Sequence, residues 1–237
     1  MDNNNIITRA NERVLDEADM FLRSQEKLSF DLRVSSPAIV QSVDFEKQTL
    51  TAKLAIRERF LNSQSKQYEF VEIPELLDVP FFMLFGSDYS ITFPIKEGDE
   101  CLIVFADSCI DAWWQNGDIQ NPMRRRRHSL SDSFALVGFR SQPNILKDYS
   151  EDSLQIRNKD GSVYVEIKDE DIKIYTENGN VEVESGGEFK IKARKITFEA
   201  EESITLDGNN QTEIDGKKFL QHIHSNGNEG ANTGAVV

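Results

Sequence analysis

From Val165 onward, apolar residues come in pairs two positions apart, and the pairs recur about every eight residues. They are Val165/Ile167, Ile172/Ile174, Val181/Val183, Phe189/Ile191, Ile196/Phe198 and Ile204/Leu206, with a weaker echo at Thr212/Ile214. The steps between first members are 7, 9, 8, 7, 8 and 8. A polar residue stands inside each of the six strong pairs (Glu166, Lys173, Glu182, Lys190, Thr197, Thr205), and Asn178-Gly179, Gly186-Gly187 and Asp207-Gly208 offer turns between several of them. Residues i and i+2 of an extended strand face the same side, so each unit buries only two side chains. Two are too few for a unit to stand alone, and stability must come from stacking many units into one core. Three architectures meet that demand: a single-chain parallel β-helix with several strands per coil, an intertwined β-helix to which three chains each add one strand per rung, or a plain antiparallel meander or sandwich. The intertwined form is a slender prism, apolar inside with Glu and Lys outside, and roughly seven or eight rungs would span on the order of 35–40 Å.

The chain before this repeat reads differently. Val14, Leu15, Ala18, Phe21 and Leu22 have helical spacing, which predicts a short amphipathic helix in an N-terminal segment, residues 1–36, packed on the next domain, with a helix dedicated to a partner as the alternative. From Pro37 short strand-like runs follow: Ile39 to Val43, Thr49 to Phe60, Tyr68 to Ile73, Phe81 to Phe85, Ser90 to Phe93, Glu100 to Ala106 and Phe134 to Phe139. Pro74, Pro80, Gly86, Pro94 and the Glu97-Gly98-Asp99 turn separate them. Alternation of this kind, broken by turns, predicts a small Greek-key barrel of the oligonucleotide/oligosaccharide-binding (OB) type over residues 37–149. The repeat then predicts a shaft over 150–219 and a small apex over 220–237. The predicted fold class is thus mainly β.

The apex contains His222-Ile223-His224, two of the three histidines of the chain. In an extended strand both imidazoles point one way. One chain leaves a transition metal under-coordinated, whereas three copies around a three-fold axis would supply six nitrogens in an octahedron. The bland alternative is a pair of surface histidines in a frayed terminus. Formal net charge is −14, and three chains would carry 3 × −14 = −42, which repels nucleic acid and anionic surfaces at large. With no run of about 18 apolar residues and no charged-then-apolar leader, the expectation is a chain made in a cytoplasm, with neither a membrane span nor a secretion signal. Cys101 and Cys109 lack CxxC spacing, and free buried thiols are expected.

Two stretches resemble the N-terminal domain of the central spike proteins of contractile-tailed bacteriophages: Ile91-Thr92-Phe93-Pro94-Ile95-Lys96-Glu97-Gly98-Asp99-Glu100-Cys101-Leu102-Ile103-Val104-Phe105-Ala106-Asp107-Ser108-Cys109-Ile110-Asp111-Ala112-Trp113-Trp114 and Arg127-His128-Ser129-Leu130-Ser131-Asp132-Ser133-Phe134-Ala135-Leu136. The order barrel, eight-residue repeat, His-x-His, small tail extends the likeness along nearly the whole chain. The resemblance implies a homotrimeric, membrane-piercing needle under the baseplate, attached to hub and tail-tube proteins and driven through the host outer membrane by sheath contraction. It implies one iron ion per trimer, held at the tip by His222 and His224, and a place in the virion. A lysozyme-like domain inserted in some relatives has no room here, since only Arg140 to Tyr149 separate barrel and shaft.

The remaining motifs admit plainer readings. Arg124-Arg125-Arg126-Arg127 is the one strong basic run, expected to be a solvated loop or a set of salt-bridge partners, with docking on another baseplate protein as the alternative. Trp113-Trp114 are expected in core or subunit-interface packing rather than in base or sugar stacking. Shaft carboxylates such as Glu182, Glu184, Glu199, Glu201 and Glu202 alternate with apolar residues and so face water, unlike a catalytic pair in a cleft. No Ser-His-Asp set, phosphate-binding glycine loop or CxxC pair is present, so no catalytic residue is expected. A tail adhesin or tailspike stalk that binds or degrades surface polysaccharide is the main rival, and the spike of a phage-derived secretion or bacteriocin particle is a close variant.

Overall fold

The computed structural model describes residues 18–29, 32–209, 211–214 and 217–218. Two compact units divide the chain, Met1–Glu177 and Asn178–Val237.

In the first unit, residues 18–29 are helical (α1). Met20, Phe21, Leu22 and Leu28 on α1 are exposed, so among the described residues of this helix the expected packing on the barrel is not made within one chain. The main sheet has five strands in the order β5-β2-β1-β8-β9: β1 Ser35–Asp44, β2 Thr49–Leu54, β5 Leu76–Pro80, β8 Glu100–Phe105 and β9 Ser133–Val137. All its named pairings are antiparallel. Strand alternation sends Ala38 and Val40, Leu50, Ala52 and Leu54, Cys101, Ile103 and Phe105, and Ala135 inward, where they form one core with Ile73, Leu76, Val79, Phe81 and Ile95. The sheet curls into a half-barrel, and just past β5 a bridge between Phe81 and Ala135 brings its two edge strands together. The Glu97-Gly98-Asp99 turn is fixed from two sides. Gly98 N–H donates to the Val40 carbonyl at 2.9 Å, Val40 N–H donates to the Asp99 carbonyl at 2.9 Å, and Gly98 holds φ +88°. That φ is strained for any residue with a Cβ.

The run from Thr49 to Phe60, expected to be one strand, is two. At Ala55 the chain turns its N–H to the Pro37 carbonyl and leaves the sheet, and β3 Glu58–Leu61 pairs instead with β4 Tyr68–Val71 in a separate hairpin. A second hairpin joins β6 Leu84–Gly86 to β7 Tyr89–Ile91. Every strand residue of these two hairpins is exposed, including Phe60, Phe70, Phe85 and Tyr89. After β8 a short helix, α2, covers Asp111–Asn116. Beyond β9 the Glu100 carboxylate accepts hydrogen bonds from Ser141 N–H, the Ser141 hydroxyl and Asn144 Nδ2 at 2.5, 2.6 and 2.7 Å, which ties the outgoing segment to the start of β8.

The first two repeat pairs lie in an antiparallel meander made by β10 Leu154–Arg157, β11 Val163–Lys168 and β12 Asp171–Thr176. For Val165/Ile167 and Ile172/Ile174 the structure therefore gives the meander. Lys168 pairs with Asp171 across a tight turn in which Asp169 takes φ +49°, a conformation that Asp tolerates better than most residues. In the second unit, residues 178–209 carry no helix or strand, and β13 Glu213–Ile214 pairs with β14 Lys217–Lys218. Among the described residues no helix is long and apolar enough to cross a membrane.

Candidate functional site

The meander has two unlike faces. Register places Leu154, Ile156, Val163, Val165, Ile167, Ile172 and Ile174 on one side, and all seven are exposed. The other side is polar and internally satisfied. Tyr164 and Tyr175 stack with centroids 5.0 Å apart, Lys173 Nζ donates to the Tyr164 hydroxyl at 2.7 Å, and Glu166 accepts from Ser153 and Gln155 at 2.6 and 2.9 Å. Those two hydrogen bonds hold the Glu166 carboxyl below its ordinary pKa. In the second unit the apolar pairs are equally bare, from Ile196 at 46% exposed to Leu206 at 69%. Side chains of this size each gain about 1.5–3 kcal/mol when removed from water, so covering these pairs would be strongly stabilising. Glu182, Glu184, Glu199, Glu201 and Glu202 are exposed as well.

The basic run is ordered around one arginine. Arg126 donates from Nε to Asp132 Oδ2 at 2.8 Å, and from Nη2 to Asp132 Oδ1 at 2.9 Å and to Asp111 Oδ2 at 2.9 Å. Asp132 is almost wholly buried and also accepts from Ile110 N–H at 3.0 Å. Burial alone would raise the Asp132 pKa, but the hydrogen bonds from Arg126 outweigh it and hold the carboxyl below the ordinary value; the same contacts push the Arg126 pKa up. Cys109, Asp111 and Asp132 offer donor atoms within 4.8 Å of one another, the spacing of a metal site. The Arg126 guanidinium already fills the cationic position between them, with Nη2 at 3.3 Å from the Cys109 sulfur, so the cluster is an ion-pair clamp. Arg127 pairs with Asp107. The salt-bridge reading of the run thus holds for Arg126 and Arg127. Sequence inspection missed the clamp because its partners lie 6 and 15 residues away, although the Asp-rich flanks of the run were a signal.

Trp113 meets Phe134 edge-on at 5.8 Å, and Trp113 and Trp114 remain 45% and 42% exposed. Both stand on α2 and outside the barrel core, so the expected core packing is not made. Cys101 and Cys109 are free and buried, as expected. His222 and His224 lie outside the described residues. His128, the third histidine, sits at φ +47° with Nε2 3.6 Å from Asp107.

The described chain is thus a mainly β protein whose one closed core is a curled half-barrel and whose remaining strands and repeats leave apolar rows bare. Residues 36–138, the span of that half-barrel, match the family model described as the phage protein Gp138 N-terminal domain. The match supports a phage structural protein of the baseplate type, and such a domain implies a virion component. No curated protein matches the chain.

Proposed function

We propose that this chain is one of three identical subunits of a cell-puncturing spike in a contractile phage tail. The observation that carries the reading is the row of uncovered apolar pairs from Val181 to Leu206, recurring about every eight residues with polar residues between. Two further copies, each contributing the same pairs, would bury that row along a three-fold axis and satisfy the backbone between chains. The half-barrels, read as OB-like domains, form the base that docks to hub and tail-tube proteins. The intertwined repeat forms a shaft whose unfolding requires three chains to unwind together, which suits a part that must neither bend nor melt while driven through the outer membrane. Its work is mechanical and supplied by sheath contraction. No role with nucleic acid is assigned to it.

His222 and His224 would hold one iron ion per trimer. The donor set fits, because two imidazoles per chain and three chains make six nitrogen ligands, a set that suits a six-coordinate first-row metal. When bound, the ion would cross-link three C-terminal segments and fix their register. Elemental analysis of the purified protein tests this, with one iron per three chains expected. His222→Ala with His224→Ala should lose the metal and remain trimeric, and a metal content unchanged by that double substitution would overturn the assignment. In contractile particles, Ile196→Asp with Phe198→Asp should leave contraction intact and abolish penetration. Wild-type penetration by those particles would overturn the piercing role.

A further inference from the structure

We propose that the Arg124–Arg127 loop is a docking site for an acidic protein segment, with Arg124 and Arg125 as its anion-binding groups. Ser108, Pro122 and the four arginines line one cleft of about 450 Å³. Two of the four are spoken for, since Arg126 is locked to Asp132 and Asp111 and Arg127 is paired with Asp107. Arg124 and Arg125 are exposed and have no carboxylate partner among the described residues. The clamp on Arg126 anchors the loop between α2 and the start of β9, so the two free guanidinium groups stand next to a fixed residue, which lowers the ordering cost of binding. Guanidinium forks bind carboxylates in planar, bidentate fashion, and such charge-assisted bonds are about twice as strong as neutral ones.

The surroundings select a short acidic segment over a polyanion. A nucleic acid or sulfated glycan needs a continuing basic track, but the sequence flanking the run has no Lys or Arg from Asp107 to Met123 or from His128 to Phe139, in a chain of net charge −14. A row of negative charge extending along these flanks meets no further cation. A segment that presents a few carboxylates and then turns away needs none.

This inference deepens the proposed spike by giving its base a docking chemistry, and it requires neither the metal nor the shaft. The test is fluorescence anisotropy of the full-length protein with a dye-labelled Glu-Glu-Glu peptide, its Gln-Gln-Gln counterpart and a heparin oligosaccharide. The Glu peptide should bind, the Gln peptide should not, and raising the salt should weaken the complex. Arg124→Gln with Arg125→Gln should weaken binding by about tenfold or more, as the loss of charged hydrogen bonds predicts. Arg124→Lys with Arg125→Lys should recover only part of it. Unchanged tryptophan emission will show that the barrel of each variant is folded. Equal binding by wild type and the Gln variant, no binding of the Glu peptide, or tighter binding of heparin than of the peptide would each overturn the proposal. Oligomeric state, measured on the same sample, separates the two ideas: a monomer that binds the peptide keeps the docking site and loses the spike, and a trimer that does not bind keeps the spike and loses the docking site.

Discussion

Replacing Asp132 by Asn removes the negative end of the most deeply buried ion pair described. Three hydrogen bonds converge on this carboxylate, from Arg126 Nε at 2.8 Å, Arg126 Nη2 at 2.9 Å and Ile110 N–H at 3.0 Å, and its side chain is 1% exposed. Breaking a buried pair by removing one partner costs about 3–5 kcal/mol. Here the Arg126 side chain is 26% exposed and keeps Asp111, which lowers the expected cost to about 2–3 kcal/mol. For a barrel of about 100 residues that corresponds to a fall in Tm of roughly 10–20 °C. Both tryptophans sit on α2, whose first residue, Asp111, shares the clamp, so urea unfolding followed by tryptophan emission reports on the barrel. The difference between variant and wild type must also depend on pH. Asp132 has a folded pKa below its ordinary 3.8, so its contribution is fully present above about 3.8 and is lost as pH falls through the folded value. The two stability curves should therefore converge in acid. A cost under about 0.5 kcal/mol at neutral pH, the size of an ordinary surface change, would refute the clamp as a structural element, as would a gap that persists unchanged in strong acid.

Gly98→Ala should destabilise the barrel by about 1–2 kcal/mol in the same urea assay. Nothing lies within 4 Å of where its Cβ would sit, so the cost is conformational and Gly98→Asn should be milder. Burial pushes the Cys101 thiol up from 9.0 to about 11. Between those values the folded chain holds a proton that the unfolded chain has released, so stability should fall as pH rises from about 9 towards 11, and Cys101→Ala should flatten that slope. Slow alkylation of Cys101 in the native protein and fast alkylation in urea would check the same burial independently.

Much of the half-barrel could be read from alternation, because β1, β2, β8 and β9 each bury one face and their apolar residues declare it. β5 could not. Leu76-Leu77-Asp78-Val79-Pro80 breaks the alternation, with Asp78 at φ +53°, so the five residues look like a loop between two prolines. The division of Thr49 to Phe60 was equally hidden, since the apolar alternation runs on through Ile56 while β3 takes β4, not the main sheet, as its partner. α2 has only six residues, too few for helical periodicity to register. In the eight-residue repeat the difficulty is of another kind. The rhythm of Val181/Val183 through Ile204/Leu206 is plain in the sequence, but a single chain leaves these side chains exposed, so their packing is not a property of one chain's own strands.

That packing is best tested by native mass spectrometry of the full-length protein at low micromolar concentration. Three chains of 27.0 kDa predict a species of 3 × 27.0 = 81 kDa, persisting on dilution, whereas a stable monomer at 27.0 kDa would contradict the shaft and the six-histidine tip together.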